Sequence, residues 1–229
     1  MTDKPRIGDV KGEMAVLQRQ LVDLADIVES AFAEAIVALI DADGSAACEA
    51  RKDEYRAHAV WLRVDSLCTD LLASGALEAP DVQFVATVIK IAMDLKLMAD
   101  EAVRIDEHMA QWAANSLAST ESTRTVSRIA EITQSMFSDD IEALVARDAG
   151  ETRGLHGIAR ELNELRKQHL GQVTQELRDA HLPPAAAAAS LLIARSLQDI
   201  GERALDMANH IARLYPPTET DAAEGTVEQ

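Results

Sequence analysis

The stretch "IKIAMDLKLMADEA" (residues 89 to 102) places Lys96 four residues before Asp100. On a helix that spacing stacks the two side chains on one face. Two acids so spaced can share a hard cation, whereas an ammonium brings positive charge and no acceptor, so Lys96 pairs with Asp100. Lysine first and acid second is the less favourable helix order, so a surface ion pair alone is a weak reason for it. The segment "SLQDIGERA" (196 to 204) repeats the spacing with Gln198 and Glu202. Gln198 offers a carbonyl oxygen but no neutralising charge. Asp206 and His210 also stand four apart, a spacing that can clasp a metal. A polar face carrying an acid and a histidine is the commoner explanation of that pair.

The elements that must carry these residues are helical. Of 229 residues, 48% are hydrophobic but only 3% aromatic, and alanine and leucine dominate. Such a composition, poor in β-branched and aromatic residues, suits helical bundles. A net charge of -17 argues against nucleic acid, because cations must displace counterions from phosphates. It also disfavours a bare anionic membrane surface. The two cysteines, Cys48 and Cys68, lie in helical patterns and read as packing residues in a reducing compartment. "MTDKPRIGDV" has no apolar core to serve as a signal peptide. No apolar run reaches the ~20 residues of a membrane span. These features predict a cytoplasmic protein with no direct membrane insertion and no nucleic-acid partner.

Six helices follow from the periodicity. Met14, Leu17, Leu21, Leu24, Val28, Ala31, Ala35 and Ala38 recur three and four apart, a helix-packing seam. It stops at "DADGS", where Ser45 is a cap for a second helix running to about Ala73. After "SGALEAPD", Asp81 is expected to cap a third helix that carries Val85, Val88, Ala92, Leu95, Ala99, Ala102 and Ile105 inward. "NSLASTESTRTVS" lacks an apolar stripe and reads as the link between halves, with the fourth helix starting inside it and ending near Arg147. A fifth spans about Thr152 to Arg178, and "HLPP" leads into a sixth, since proline costs little in a first turn.

The two halves match. "FAEAIVALIDAD" (32 to 43) lies over "FSDDIEALVARD" (137 to 148), with Phe32 on Phe137, Ile36 on Ile141, Leu39 on Leu144 and Asp43 on Asp148. "IAMDLKLMADEAVRIDEHM" (91 to 109) lies over "IARSLQDIGERALDMANHI" (193 to 211), with Ile91, Ala92, Leu95, Ala102 and His108 on identical residues, Ala99 on Gly201 and Asp100 on Glu202. The expected fold is all-α: two tandem antiparallel three-helix bundles related by internal duplication, residues 12–116 and 117–215, with a disordered polar tail at 216–229. Small residues at Ala99 and Gly201 are read as points of close helix approach.

This duplication, with "DLKLMADEA" (94 to 102), "SLQDIGERA", Asp43, Asp148 and the proline-led "EAPDVQFVATVIKIA" (78 to 92), resembles the bacterial phosphate-uptake regulator family PhoU over about residues 12 to 215. That family's third and sixth helices carry a signature close to D-L-E-R-I-G-D-x-A. The resemblance implies a negative regulator and adaptor of phosphate uptake and phosphate-starvation signalling, working through contacts with the ATPase of the phosphate ABC transporter and with a sensor histidine kinase. It also implies a homodimer, and iron, zinc, magnesium or manganese on the paired acidic motifs. Here Lys96 and Gln198 replace the first acid of each motif, so the sites are degenerate. The residues left to hold metal are Asp100, Glu202 and Gln198, with Asp53 and Glu161 as the matching acids on the second and fifth helices. Asp53 and Glu161 are equally well read as solvated surface acids.

Two other functions compete with this one. A carboxylate-bridged metal enzyme in a helical bundle needs Glu-x-x-His on two helices, and no glutamate here is followed by histidine at that spacing. Phosphate-loop, nucleophile-elbow and His-Glu-x-x-His patterns are also missing from the sequence, so no enzyme is expected. A diverged PhoU-like accessory protein for another transporter or kinase keeps the fold and changes the circuit.

Overall fold

The computed structural model describes residues 10–41, 49–115 and 121–215. Among them are six α-helices and no strand: α1 (Val10–Asp41), α2 (Glu49–Ser74), α3 (Ala79–Asn115), α4 (Glu121–Ala146), α5 (Leu155–Arg178) and α6 (Pro184–Leu214), with a 3-10 turn, Gly150–Gly154, leading into α5. Asp43, Ser45, Cys48 and the tail at 216–229 lie outside the described residues.

The helices pack as two sets of three, α1–α2–α3 and α4–α5–α6, joined by α3 against α6 and α1 against α4. The α3–α6 seam is the most extensive helix contact among the described residues. Each residue expected to face inward on α3, from Val85 to Ile105, is buried, as are Leu17, Leu21, Leu24, Val28, Ala31, Ala35 and Ala38 on α1. One apolar cluster runs through both bundles and includes Phe32, Leu95, Phe137 and Leu197. The Phe32 and Phe137 rings meet with centroids 6.4 Å apart, so equivalent residues of the two repeats touch where α1 crosses α4. Burying a leucine or phenylalanine side chain contributes roughly 1.5–3 kcal/mol, and neither bundle closes this shared core without the other.

Local chemistry sets the helix ends. At the start of α3 the expected cap is corrected: Ala79 and Pro80 already belong to the first turn, and Asp81 sits inside it. Asp81 instead reaches back, accepting the Glu78 backbone N–H at 3.4 Å, the reciprocal half of a capping box. Proline fits there because a first-turn nitrogen has no helical acceptor to bond. At the end of α4, Arg147 takes a left-handed conformation (φ 58°). The Asp148 N–H then reaches the Ala143 carbonyl at 3.1 Å, and Asp148 Oδ1 accepts from Gly150 N at 2.9 Å. Asp148 therefore closes the helix and starts the turn. Cys68 is fully buried, and burial pushes its thiol up to about 12, which fits a packing residue.

The burial pattern sets the register of α2 on α5. Leu162 falls on Ala57, His169 on Val64, Val173 on Cys68 and Glu176 on Leu71, the same displacement that puts Phe137 on Phe32. In that register Glu161 falls on Arg56 and Ile158 on Asp53. The acids singled out on the second and fifth helices, Asp53 and Glu161, therefore do not occupy equivalent positions: Asp53 is buried, while Glu161 is 54% exposed.

Candidate functional site

The two motif helices present their polar pairs in different ways. On α3, Lys96 Nζ lies 2.5 and 2.6 Å from the two oxygens of Asp100. The ammonium thus stands where a cation shared by two acids would sit, and it saturates the carboxylate. Both side chains are half-buried. On α6, Gln198 donates its amide to Glu202 Oε1 at 2.6 Å. Its other atom, Oε1, is buried with no hydrogen-bond partner among the described residues. That oxygen and Glu202 are two oxygen donors with a single negative charge between them.

The supporting acids do not complete either pair. Asp53 is held by Arg56 at 2.6 Å. Glu161 lies 3.8 Å from Arg128 on α4. Glu101, buried beside Asp100 in sequence, is held by Arg104. Among the described residues no three His, Cys, Asp or Glu side chains converge as a metal site. On α3 the donor set does not fit a metal: a fixed cation replaces one ligand and neutralises the other. On α6 an amide oxygen and one carboxylate fall short of the charge a hard di- or trivalent ion recruits.

Between the bundles the structure builds a polar group that spacing along the chain does not reveal. Asp94 on α3 reaches Arg203 at 3.7 Å and His210 at 3.9 Å on α6. Lys90, one turn earlier on α3, adds positive charge near His210. Burial, with Asp206 adding to it and Arg203 opposing it, pushes the Asp94 carboxyl up to about 6. Burial, with Lys90 and Arg213, holds His210 below its usual value, against the pull of Asp206. At neutral pH His210 is therefore uncharged, and Arg203 is the cation facing Asp94. The Asp206–His210 spacing seen in the sequence ends here as part of the seam between bundles.

A second group escaped sequence reasoning. Asp140 on α4 has no exposed surface, and neither carboxyl oxygen has a hydrogen-bond partner among the described residues. Burial, reinforced by Asp139, pushes its carboxyl up to about 9, so it is protonated at neutral pH. The repeat alignment held the signal, because Asp140 falls on buried Ala35.

Comparison with known proteins gives the architecture its family. The PhoU domain model matches residues 21–109 and 126–211, one match on each bundle. Relatives called "Phosphate-specific transport system accessory protein PhoU homolog" include one from Pseudomonas putida, 22% identical over 90% of this chain and 80% of its own length. Another, from Pseudomonas aeruginosa, is 26% identical over 90% of this chain and 85% of its own. The crystal structure of PhoU from Pseudomonas aeruginosa superposes with a TM-score of 0.83 at 22% identity, covering 89% of this chain and 97% of that one. The phosphate transport system regulatory protein PhoU from Streptococcus pneumoniae gives 0.77 at 18% identity, covering 90% and 96%; these two likenesses speak to the fold. With both repeats matched, the chain belongs to the PhoU family.

Proposed function

We propose that this chain is an accessory regulator of phosphate transport, a negative regulator that works by contact with other proteins. The observation that carries this reading is the match of the PhoU domain to both bundles, with relatives over most of their own length bearing the name of a phosphate transport accessory protein. The partners in this reading are the ATPase of a phosphate ABC transporter and a sensor histidine kinase, met in the cytoplasm by a homodimer. No helix among the described residues is long and apolar enough to cross a membrane, which suits a protein that meets a transporter through its ATPase. The regulator has no reaction of its own in this reading.

The test is co-purification of the tagged chain with the phosphate-transporter ATPase from cells grown with and without phosphate, alongside phosphate-responsive transcription in a deletion strain. Capture of the ATPase and derepressed transcription are expected. No capture under either condition, with unchanged transcription, would sink the proposal. One observation favours a second reading, an accessory protein for another transporter or kinase: Lys96 saturates Asp100 where the family signature has a second acid. Capture of a different transporter ATPase or kinase in the same experiment would select it.

A further inference from the structure

The internal duplication lets one bundle serve as a control for the other. In the first bundle Leu17, Val64, Leu71 and Val88 are four fully buried apolar residues, none more than 1% exposed. The equivalent positions of the second bundle are Ser122, His169, Glu176 and Ser190. All four have become polar, and they interact. Glu176 accepts from the Ser122 backbone N–H at 3.1 Å and from its hydroxyl at 2.5 Å. His169 Nε2 and Ser190 Oγ are 2.9 Å apart, both residues without exposed surface. Burial lowers the His169 pKa, while Ser190, Glu176 and the Ser122 backbone act against that shift. Apolar residues fill the same space in the sister bundle, so packing alone does not call for a polar network that is costly unless fully satisfied.

The network backs onto a cleft between α5 and α6. A cavity of about 170 Å³ is lined by Arg166, His169, Leu170, Leu191, Ala194 and Arg195. Here too the first bundle differs. Trp61 stands where Arg166 is and packs on the core with Ile89, the counterpart of Leu191; Met93 stands where Arg195 is. Arg195 is held by Asp199 at 2.8 and 3.0 Å. Arg166 is different: its Nε is buried with no hydrogen-bond partner among the described residues. A guanidinium donor left unpaired beside a cavity is costly in a closed core and useful in a site that receives an acceptor.

We propose that the α5–α6 cleft of the second bundle is a binding site for a small organic anion, a carboxylate on a short branched apolar body. The carboxylate meets Arg166, since Arg195 is already paired with Asp199. The body lies against Leu170, Leu191 and Ala194, and the neutral His169 ring forms the polar floor. Size limits the class. Drug-sized and nucleotide ligands need pockets of roughly 300 Å³ or more. A cleft of about 170 Å³ suits a ligand of the size of isobutyrate. The apolar walls favour such a ligand over phosphate or sulfate.

The test uses the full chain, isotope-labelled, at constant ionic strength, titrated with isobutyrate, acetate, inorganic phosphate or sulfate, and followed through the Leu170 and Leu191 methyl and His169 ring resonances. Isobutyrate is expected to shift these resonances saturably, with half-saturation at about 1 mM, a plausible affinity for so small a ligand. Phosphate and sulfate are expected to bind at least tenfold more weakly. Arg166→Gln should weaken isobutyrate binding tenfold or more. Arg166→Trp, which installs the residue of the first bundle, should abolish it. Arg56→Gln, on the α1–α2 side of the molecule, should leave it intact. Unchanged far-UV circular dichroism verifies each fold, and Arg166→Gln decides if the tryptophan variant misfolds. Absence of saturation, equal binding by well-folded Arg166→Gln, or phosphate binding as tight as isobutyrate would overturn the proposal.

Discussion

Leu162 on α5 covers Gly201 on α6 so closely that a Cβ added at Gly201 would collide with Leu162 Cδ2. The first bundle solves the same contact with the bulk redistributed, carrying buried Ala57 and Ala99 at the equivalent positions. Small residues at this level of α3 and α6 thus mark close approach, and the second bundle gives the freed volume to a leucine.

Gly201→Ala makes the Leu162 side chain move aside within a buried contact and should cost about 1 kcal/mol by overpacking. Adding Leu162→Ala restores the pairing of the first bundle and should recover most of that loss. Urea denaturation of the two single variants and the double variant measures the coupling. A double variant as unstable as the sum of the singles would contradict the contact.

Asp140 makes stability fall as pH rises. Its folded pKa, about 9, lies above the unfolded value, so the folded state holds the proton more tightly. Its contribution is whole below the unfolded value near 3.8 and is lost as pH climbs through 9. Asp140→Ala, matching Ala35, should add about 1–3 kcal/mol at pH 7 by removing a buried unpaired polar group. It should also flatten the decline between pH 7 and pH 9. Denaturation at pH 5, 7 and 9 checks both, and an unchanged slope would refute the assignment.

Asp94 acts in a lower window. Its carboxyl titrates at about 6, above the ordinary 3.8, so its favourable contribution is complete below the ordinary value and lost as pH rises through 6. Allowing for solvent screening at the partly open seam, that loss amounts to about 1–2 kcal/mol. Carbon-13 NMR of the Asp94 carboxyl should give a midpoint near 6. Arg203→Gln should move it upward, because Arg203 is the cation that lowers it. A midpoint that does not respond would exclude the seam contact.

The motif helices make a prediction about metal. Protein purified without chelator should carry only substoichiometric metal, since Lys96 occupies the Asp100 carboxylate. Lys96→Glu with Gln198→Glu gives each helix two acids one turn apart and should raise the metal content, read by elemental analysis. Stoichiometric iron or zinc in the natural protein would refute this.

Much of the fold could be read from the chain. The inward residues of α1 and α3 were legible because a helix repeats every 3.6 residues, which makes apolar spacing a direct record of which face is covered. The duplication was legible because equivalent positions carry equivalent side chains, as with Phe32 and Phe137. The Lys96–Asp100 pair was legible for the same local reason. Asp81 shows the limit: a capping residue and a third-position reciprocal acceptor differ by one turn, and sequence chemistry alone does not separate them.

The sequence by itself determined the helices, their two-fold repetition and the Lys96–Asp100 and Gln198–Glu202 spacing, since these depend on neighbours a few residues apart. Only the tertiary structure decided that Asp53 and Glu161 are not equivalent positions, that Asp94 answers to Arg203 and His210 across the seam, and that the Asp140 carboxyl and Arg166 Nε have no hydrogen-bond partner among the described residues. Those outcomes depend on which helix faces meet, and residues more than a hundred positions apart come together only when a shared core draws α3 against α6.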